Sequence, residues 1–204
     1  MDSRLVAWAR VVKRRRLGME VTGTRKKSGP PPLWFFTDAH RTPDPLSIIS
    51  RLPVGLCGVL FRHDSHPDRA VLAKAAARIC RARRLTLIVA GDARLAKAVA
   101  GGLHLRGGAP ARRLLRTQAL CSASAHNERE LSKARRAGVD LVFISPVFST
   151  ATHPGEPVLG GAGWRLLARR AGRVKPCALG GISGWRARIL GRRCAGIGAI
   201  EAFL

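Results

Sequence analysis

The 204-residue sequence contains no tyrosine, with only four tryptophans and six phenylalanines. So few aromatics argue against a stacking platform for single-stranded nucleic acid. No apolar stretch reaches the roughly 18 residues of a membrane-spanning helix, because Arg, Gly or Asp interrupts every one. Secretory features are missing too: the N-terminus lacks the apolar core and small-residue cleavage pattern of a signal peptide. The cysteines, Cys57, Cys80, Cys121, Cys177 and Cys194, are isolated, odd in number and without a C-x-x-C pair. That excludes a disulfide frame and zinc-finger spacing, and predicts free, buried thiols in a soluble, cytoplasmic protein.

Acidic residues are also scarce: 12 Asp and Glu face 37 Lys and Arg, for a formal net charge of +25. Such an excess commonly marks a nucleic-acid binder, so its distribution decides. Thirty of the cations are Arg and seven are Lys, spread over nearly every predicted helix. Residues 1–29 hold nine basic and two acidic residues, +7, which leaves +18 for the remainder. Even spacing in a chain rich in Ala, Gly and Pro reads as a compositional drift toward Arg. Nucleic acid is therefore not the expected partner.

What is present is a globular composition, 46% hydrophobic and 24% charged, suited to one domain with a sizeable core. Residues 1–32 read as a basic N-terminal arm, either disordered or a short helix around Leu5, Val6, Trp8, Ala9, Val11 and Val12, loosely packed and ending at Pro30-Pro31-Pro32. From residue 33 to 204 a pattern repeats: a short apolar run, a turn, then an Ala/Arg/Leu-rich segment. Eight runs can be counted, at Leu33–Thr37, Leu56–Phe61, Leu85–Ala90, Leu103–Leu105, Ala119–Ser124, Leu141–Ser145, Cys177–Gly180 and Gly196–Ile200. The clearest helix lies between the second and third, over Pro67–Arg83. Another is predicted over Ala109–Arg116, and Asn127 and Ser183 stand as N-caps of two more.

Near-continuous apolar strands alternating with helices predict a parallel sheet covered by helices. Eight units in about 170 residues suit an α/β fold of the compact (β/α)8 TIM-barrel type, with an open doubly wound sheet as the alternative. In a barrel, chemistry sits at the C-terminal strand ends. Those ends carry Arg62-His63-Asp64, Gly91-Asp92, Ser124-Ala125-His126, Ser145 to His153, Gly180-Gly181 and Gly198 to Glu201. Backbone amides approach a phosphate closely only where no Cβ intervenes, so Gly180, Gly181 and the strand end at Ile200 predict a phosphorylated small-molecule ligand. Arg62 supplies a bidentate cation.

These segments resemble the thiamine phosphate synthase and TenI (thiazole tautomerase) family. Ser145-Pro146-Val147-Phe148-Ser149-Thr150-Ala151-Thr152-His153 is similar to its Gly-Pro-Val-Phe-Pro-Thr-x-Thr-Lys loop, Gly102-Leu103-His104-Leu105 to its Gly-Val-His-Leu, Ser124-Ala125-His126 to its Ser-x-His, and Gly180-Gly181-Ile182 to its Gly-Gly-Ile. The resemblance covers residues 33–204. It implies a barrel that joins a pyrimidine diphosphate to a thiazole phosphate, with Mg2+ assisting release of diphosphate. Arg62 would hold diphosphate, Ser124 would face the pyrimidine, and Thr150 and Thr152 would contact the thiazole side. Gly181 and the amides near Ile200 would take the thiazole phosphate.

The sequence departs from that pattern where charge matters. A family lysine is Asp64, the lysine closing the Thr-x-Thr-Lys loop is His153, and a metal carboxylate aligns with Ala109. The Asn-Asp pair is Gly91-Asp92, and Glu201 replaces a serine beside the phosphate cup. Asp64 and Asp92 follow neighbouring strands and form a candidate displaced Mg2+ site. Three readings stay open: a divergent synthase; a thiazole-phosphate tautomerase using His126, with His153 as a second acid/base; and a non-catalytic phosphate-ligand or polyanion binder. A homo-oligomer is left open.

Overall fold

The computed structural model describes residues 1–18, 29–106, 120–150 and 155–204. Eight strands, β1 (Leu33–Phe36), β2 (Cys57–Phe61), β3 (Thr86–Ala90), β4 (Gly102–Leu105), β5 (Cys121–Ala125), β6 (Leu141–Ile144), β7 (Lys175–Leu179) and β8 (Gly196–Ala199), form a closed barrel in chain order. All pairings are parallel, and Leu33 lies beside both Cys57 and Ile197, which closes the ring. The (β/α)8 expectation holds. The predicted helix over Ala109–Arg116 lies outside the described residues.

The period-2 pleat sorts each strand into two faces. Leu33, Phe35, Val59, Phe61, Leu87 and Val89 face outward into the main core, against the surrounding helices. Trp34, Phe36, Leu60, Ile88, Phe143 and Cys177 point inward and fill the barrel. Phe143 meets Trp34 and Phe36 edge-on, with ring centroids 5.9 and 4.9 Å away. Rings this large fit because their neighbours are glycine. Trp34 sits in register between Gly58 and Gly198; a Cβ on Gly58 would come within 2.5 Å of the Trp34 ring, and one on Gly198 within 2.5 Å of Phe36.

Helices α1 (Ser3–Gly18), α2 (Pro45–Arg51), α3 (Arg69–Ala82), α4 (Ala93–Ala98), α5 (Glu128–Ala137), α6 (Gly160–Arg169) and α7 (Gly184–Ala187) surround the barrel. Local signals mark several starts. Asn127 accepts the Glu130 amide at 2.9 Å and Ser183 the Arg186 amide at 3.4 Å, as caps do. Ala73, Ala76, Ala77 and Cys80 form the buried stripe of α3. All five cysteines are free and buried, and burial pushes the thiols of Cys57, Cys80 and Cys121 up to about 12. Among the described residues, no helix is long and apolar enough to cross a membrane.

The loosely packed N-terminal arm needs correction. Residues 3–18 are a helix docked on α7, with Leu5, Ala9 and Val12 buried at i, i+4 and i+7. Asp2 explains the docking chemically. Its Oδ1 accepts the Arg4 and Leu5 amides at 2.8 and 3.3 Å, while its Oδ2 accepts the Gly184 amide at 2.7 Å. Gly184 permits the contact, since a Cβ there would lie 2.3 Å from the Arg4 Cβ. At the other end, Lys13 Nζ donates to the Gly55 carbonyl at 2.9 Å. The Leu5→Ala variant is expected to lose about 2–3 kcal/mol, near the low end for buried leucines because a peripheral helix can settle into the gap; urea unfolding measures it.

Candidate active site

At the C-terminal ends of the strands a cavity of about 650 Å³ opens between the β6 and β7 loops and the β1, β2 and β8 ends. Arg62, His126, Thr150, Gly180, Gly181 and Ile200, all singled out from the sequence, line it. Ser124 lies beside it, in a smaller recess shared with His104, Arg106 and His126. Thr152 and His153 lie outside the described residues.

Arg62 is fixed through its main chain: its amide donates to Thr37 Oγ1 at 2.8 Å, and the same hydroxyl meets His63 Nδ1 at 2.9 Å. The side chain stays exposed to the mouth, yet protein crowds the guanidinium. Desolvation leads in lowering its pKa from the ordinary value; Arg41 and Arg106 push the same way and Asp38 opposes them. Among the described residues no carboxylate forms an ion pair with Arg62.

The β6 and β7 loops are laced together. The Val147 and Phe148 amides donate to the Leu179 and Gly180 carbonyls at 3.0 and 3.1 Å, and the Ser145–Pro146 peptide bond is cis. A Cβ on Gly181, whose φ is +62°, would stand 2.5 Å from the Ser149 carbonyl oxygen. Loop packing therefore accounts for glycine here, just as Phe36 accounts for Gly198 inside the barrel.

His126 Nδ1 lies 3.0 Å from the Ser145 carbonyl, which can only accept, so Nδ1 carries the proton and a neutral ring keeps its lone pair on Nε2. His104 has a different character. Its Nδ1 meets Ser122 Oγ at 2.9 Å and its Nε2 meets Ser124 Oγ at 3.2 Å; desolvation, with Arg62 adding to it, lowers its pKa from 6.5 to about 4. It is a neutral strut behind Ser124.

That burial has a measurable cost in acid. The unfolded chain takes up a proton near pH 6.5 that the native His104 refuses until about pH 4. Stability is therefore full above pH 6.5 and falls by about 3 kcal/mol as the pH drops through this window. Desolvation lowers His63 likewise. A His104→Gln chain should show a flatter decline in urea-unfolding free energy over the same range.

A family model for thiamine monophosphate synthase matches residues 35–203. The chain belongs to that family. It is 35% identical over 131 residues to a thiamine-phosphate synthase from Synechococcus sp. (strain WH7803), covering 60% of this chain and 36% of the relative. Over 183 residues it is 32% identical to the thiamine biosynthesis bifunctional protein ThiM/ThiE of Symbiobacterium thermophilum, covering 84% and 37%. The chain thus spans little more than a third of the length of these curated relatives. A thiamine phosphate pyrophosphorylase from Pyrococcus furiosus superposes with a TM-score of 0.71 at 23% identity, over 84% of this chain and 86% of that one. This last likeness is one of fold.

Within this barrel, the site carries arginines that sequence reasoning passed over. Arg41 lies 3.6 Å from Asp38 and 3.7 Å from Glu201, so Glu201 spends its charge on a rim cation. Arg186 donates to the Gly181 carbonyl at 2.9 Å and lies over the Phe148 ring at 4.9 Å. Arg69 stands 3.0 Å from Asp64 and 3.3 Å from Asp92, and Arg106 also pairs with Asp64. With 30 arginines in the chain, no sequence signal separates these from the solvated ones.

The displaced Mg2+ site fails on this arrangement. Asp64 and Asp92 do come together, but three of their four carboxylate oxygens already accept an N–H, Asp64 Oδ2 from Arg106 and Asp92 from Arg69 and the Leu95 amide at 2.9 Å, while the fourth, Asp64 Oδ1, lies 3.0 Å from Arg69 Nη2. Among the described residues no group of three metal-ligating side chains gathers, and the family's second carboxylate position is Ala109.

Proposed function

We propose that this chain is a thiamine phosphate synthase-type transferase that joins a pyrimidine diphosphate ester to a thiazole phosphate. The observation that carries the reading is Arg62, a guanidinium with no ion pair among the described residues, which lines the same cavity as the glycine loop at Gly180-Gly181 and the strand end at Ile200. The chain spans only part of the length of its curated relatives, so the proposed reaction rests on this site and on the family it belongs to.

In this reading the bond between the pyrimidine's methylene carbon and the diphosphate oxygen breaks, and diphosphate leaves with the electron pair. The thiazole nitrogen supplies the pair that forms the new carbon–nitrogen bond. The charge that develops is on the leaving group, which calls for preset cations and donors rather than a nucleophile. Arg62 meets that charge, with Arg106 on the adjoining rim. Ser124, held by His104, faces the pyrimidine, while Thr150 contacts the thiazole. Amides at Gly181 and Ile200 take the thiazole phosphate. Where the family has two lysines this chain has Asp64 and His153, and further cations stand around the cavities at Arg41, Arg106 and Arg186, the first two of them paired with carboxylates. The ligands are small phosphorylated molecules, and five free thiols suit the reducing cytoplasm.

A second reading rests on His126, whose Nε2 keeps its lone pair beside the cavity: a tautomerase acting on the thiazole phosphate alone. One experiment separates the two. The chain is incubated with both precursors, and in parallel with the thiazole phosphate isomer alone. Thiamine phosphate is expected from the first mixture. Isomer conversion that His126→Ala abolishes, without thiamine phosphate, would replace the synthase by the tautomerase.

A further inference from the structure

A half-buried guanidinium occupies the space between Asp64 and Asp92. Arg69, the first residue of α3, reaches the β2 and β3 ends with its side chain only 19% exposed. Its Nη2 lies 3.0 Å from Asp64 Oδ1 and donates to the Ala90 carbonyl at 2.6 Å, while Nη1 lies 3.3 Å from Asp92 Oδ2. The two remaining carboxylate oxygens accept from Arg106 and from the Leu95 amide. Mg2+ asks for six oxygens in a near-octahedral shell and surrenders its waters reluctantly. To enter here it must expel a guanidinium held by both carboxylates and by the Ala90 carbonyl. It would also have to sit beside Arg106, with Arg62 on the same rim. The exchange replaces one delocalised cation, matched to two carboxylates, by a smaller one in a field of positive charge.

We infer that Arg69 is the resident cation between these carboxylates and that the site takes a diphosphate-class anion on arginine charge alone, without a divalent ion. This rests on the reading of the cavity as a site for phosphorylated ligands. Arg69 and Arg106 together balance the charges of Asp64 and Asp92, which would otherwise repel the anion, and so leave Arg62 to meet it. Asp64, where the family has lysine, is paired by Arg106 at the end of β4.

The test uses inorganic diphosphate and Mn2+ as probes of the full chain. Calorimetric titration with diphosphate in excess chelator is expected to show one-site binding that persists without metal. Paramagnetic resonance of Mn2+ added to the wild-type chain is expected to show the free ion only. Binding that disappears in chelator and returns with Mg2+, or uptake of Mn2+ in one-to-one ratio, overturns the inference while leaving the cavity's ligand class intact. No diphosphate binding under either condition overturns both. The Arg69→Met chain, once far-ultraviolet circular dichroism shows it folded, is expected to take up Mn2+ at the freed carboxylates. A folded variant that leaves Mn2+ free also overturns the assignment.

Discussion

Arg62→Gln is expected to lower kcat/KM for thiamine phosphate formation by about 10²–10³-fold, the range seen when one preset donor to a developing charge is removed. The fold should barely register the change. The anchor at residue 62 is the amide bond to Thr37, which glutamine keeps, and no ion pair among the described residues is lost with the guanidinium. The wild-type protein already holds this cation against desolvation and two like charges, so thermal stability should stay level or rise. Steady-state kinetics beside a thermal melt test both halves. A fall of less than about threefold, under 1 kcal/mol, would remove Arg62 from the diphosphate contact.

Gly181→Ala is expected to damage activity and stability together. At φ +62° an alanine is strained, and its Cβ would lie 2.5 Å from the Ser149 carbonyl oxygen and 2.9 Å from that of Phe148. Backbone oxygens cannot rotate away as a side chain would. The β6 loop must lift, which breaks its amide bonds to Leu179 and Gly180 and displaces Thr150. Strain and lost contacts together are expected to cost about 2–4 kcal/mol of unfolding free energy, with about 10²-fold or more lost from kcat/KM because the cavity wall is no longer in place. Near-wild-type values in both measurements would show that the two loops are not held as described.

The barrel could be read from the sequence because parallel strands buried on both faces leave apolar runs that helices cannot mimic in four or five residues. Caps at Asn127 and Ser183 were equally legible, since capping is local. Three features were not. Docking of α1 depends on Gly184, 182 residues away from Asp2, and a helical stripe in sequence says nothing about what receives it. Gly198 reads as a phosphate approach until Phe36 is seen pressing on it. Asp64 and Asp92 read correctly as neighbours but wrongly as free ligands, because α3 delivers an arginine between them and one arginine among 30 carries no mark. Of the positions that match the family loop, Thr150 lines the cavity, and Thr152 and His153 fall outside the described residues.

The aromatic filling of the barrel has a consequence for how this chain can change. Trp34 needs Gly58, and Phe36 needs Gly198, so neither member of a pair is free to drift. A smaller residue at 34 opens a void, and a larger one at 58 collides with an indole already in place. Each pair can be exchanged only through a less stable intermediate, which makes double substitutions inside the barrel strongly non-additive.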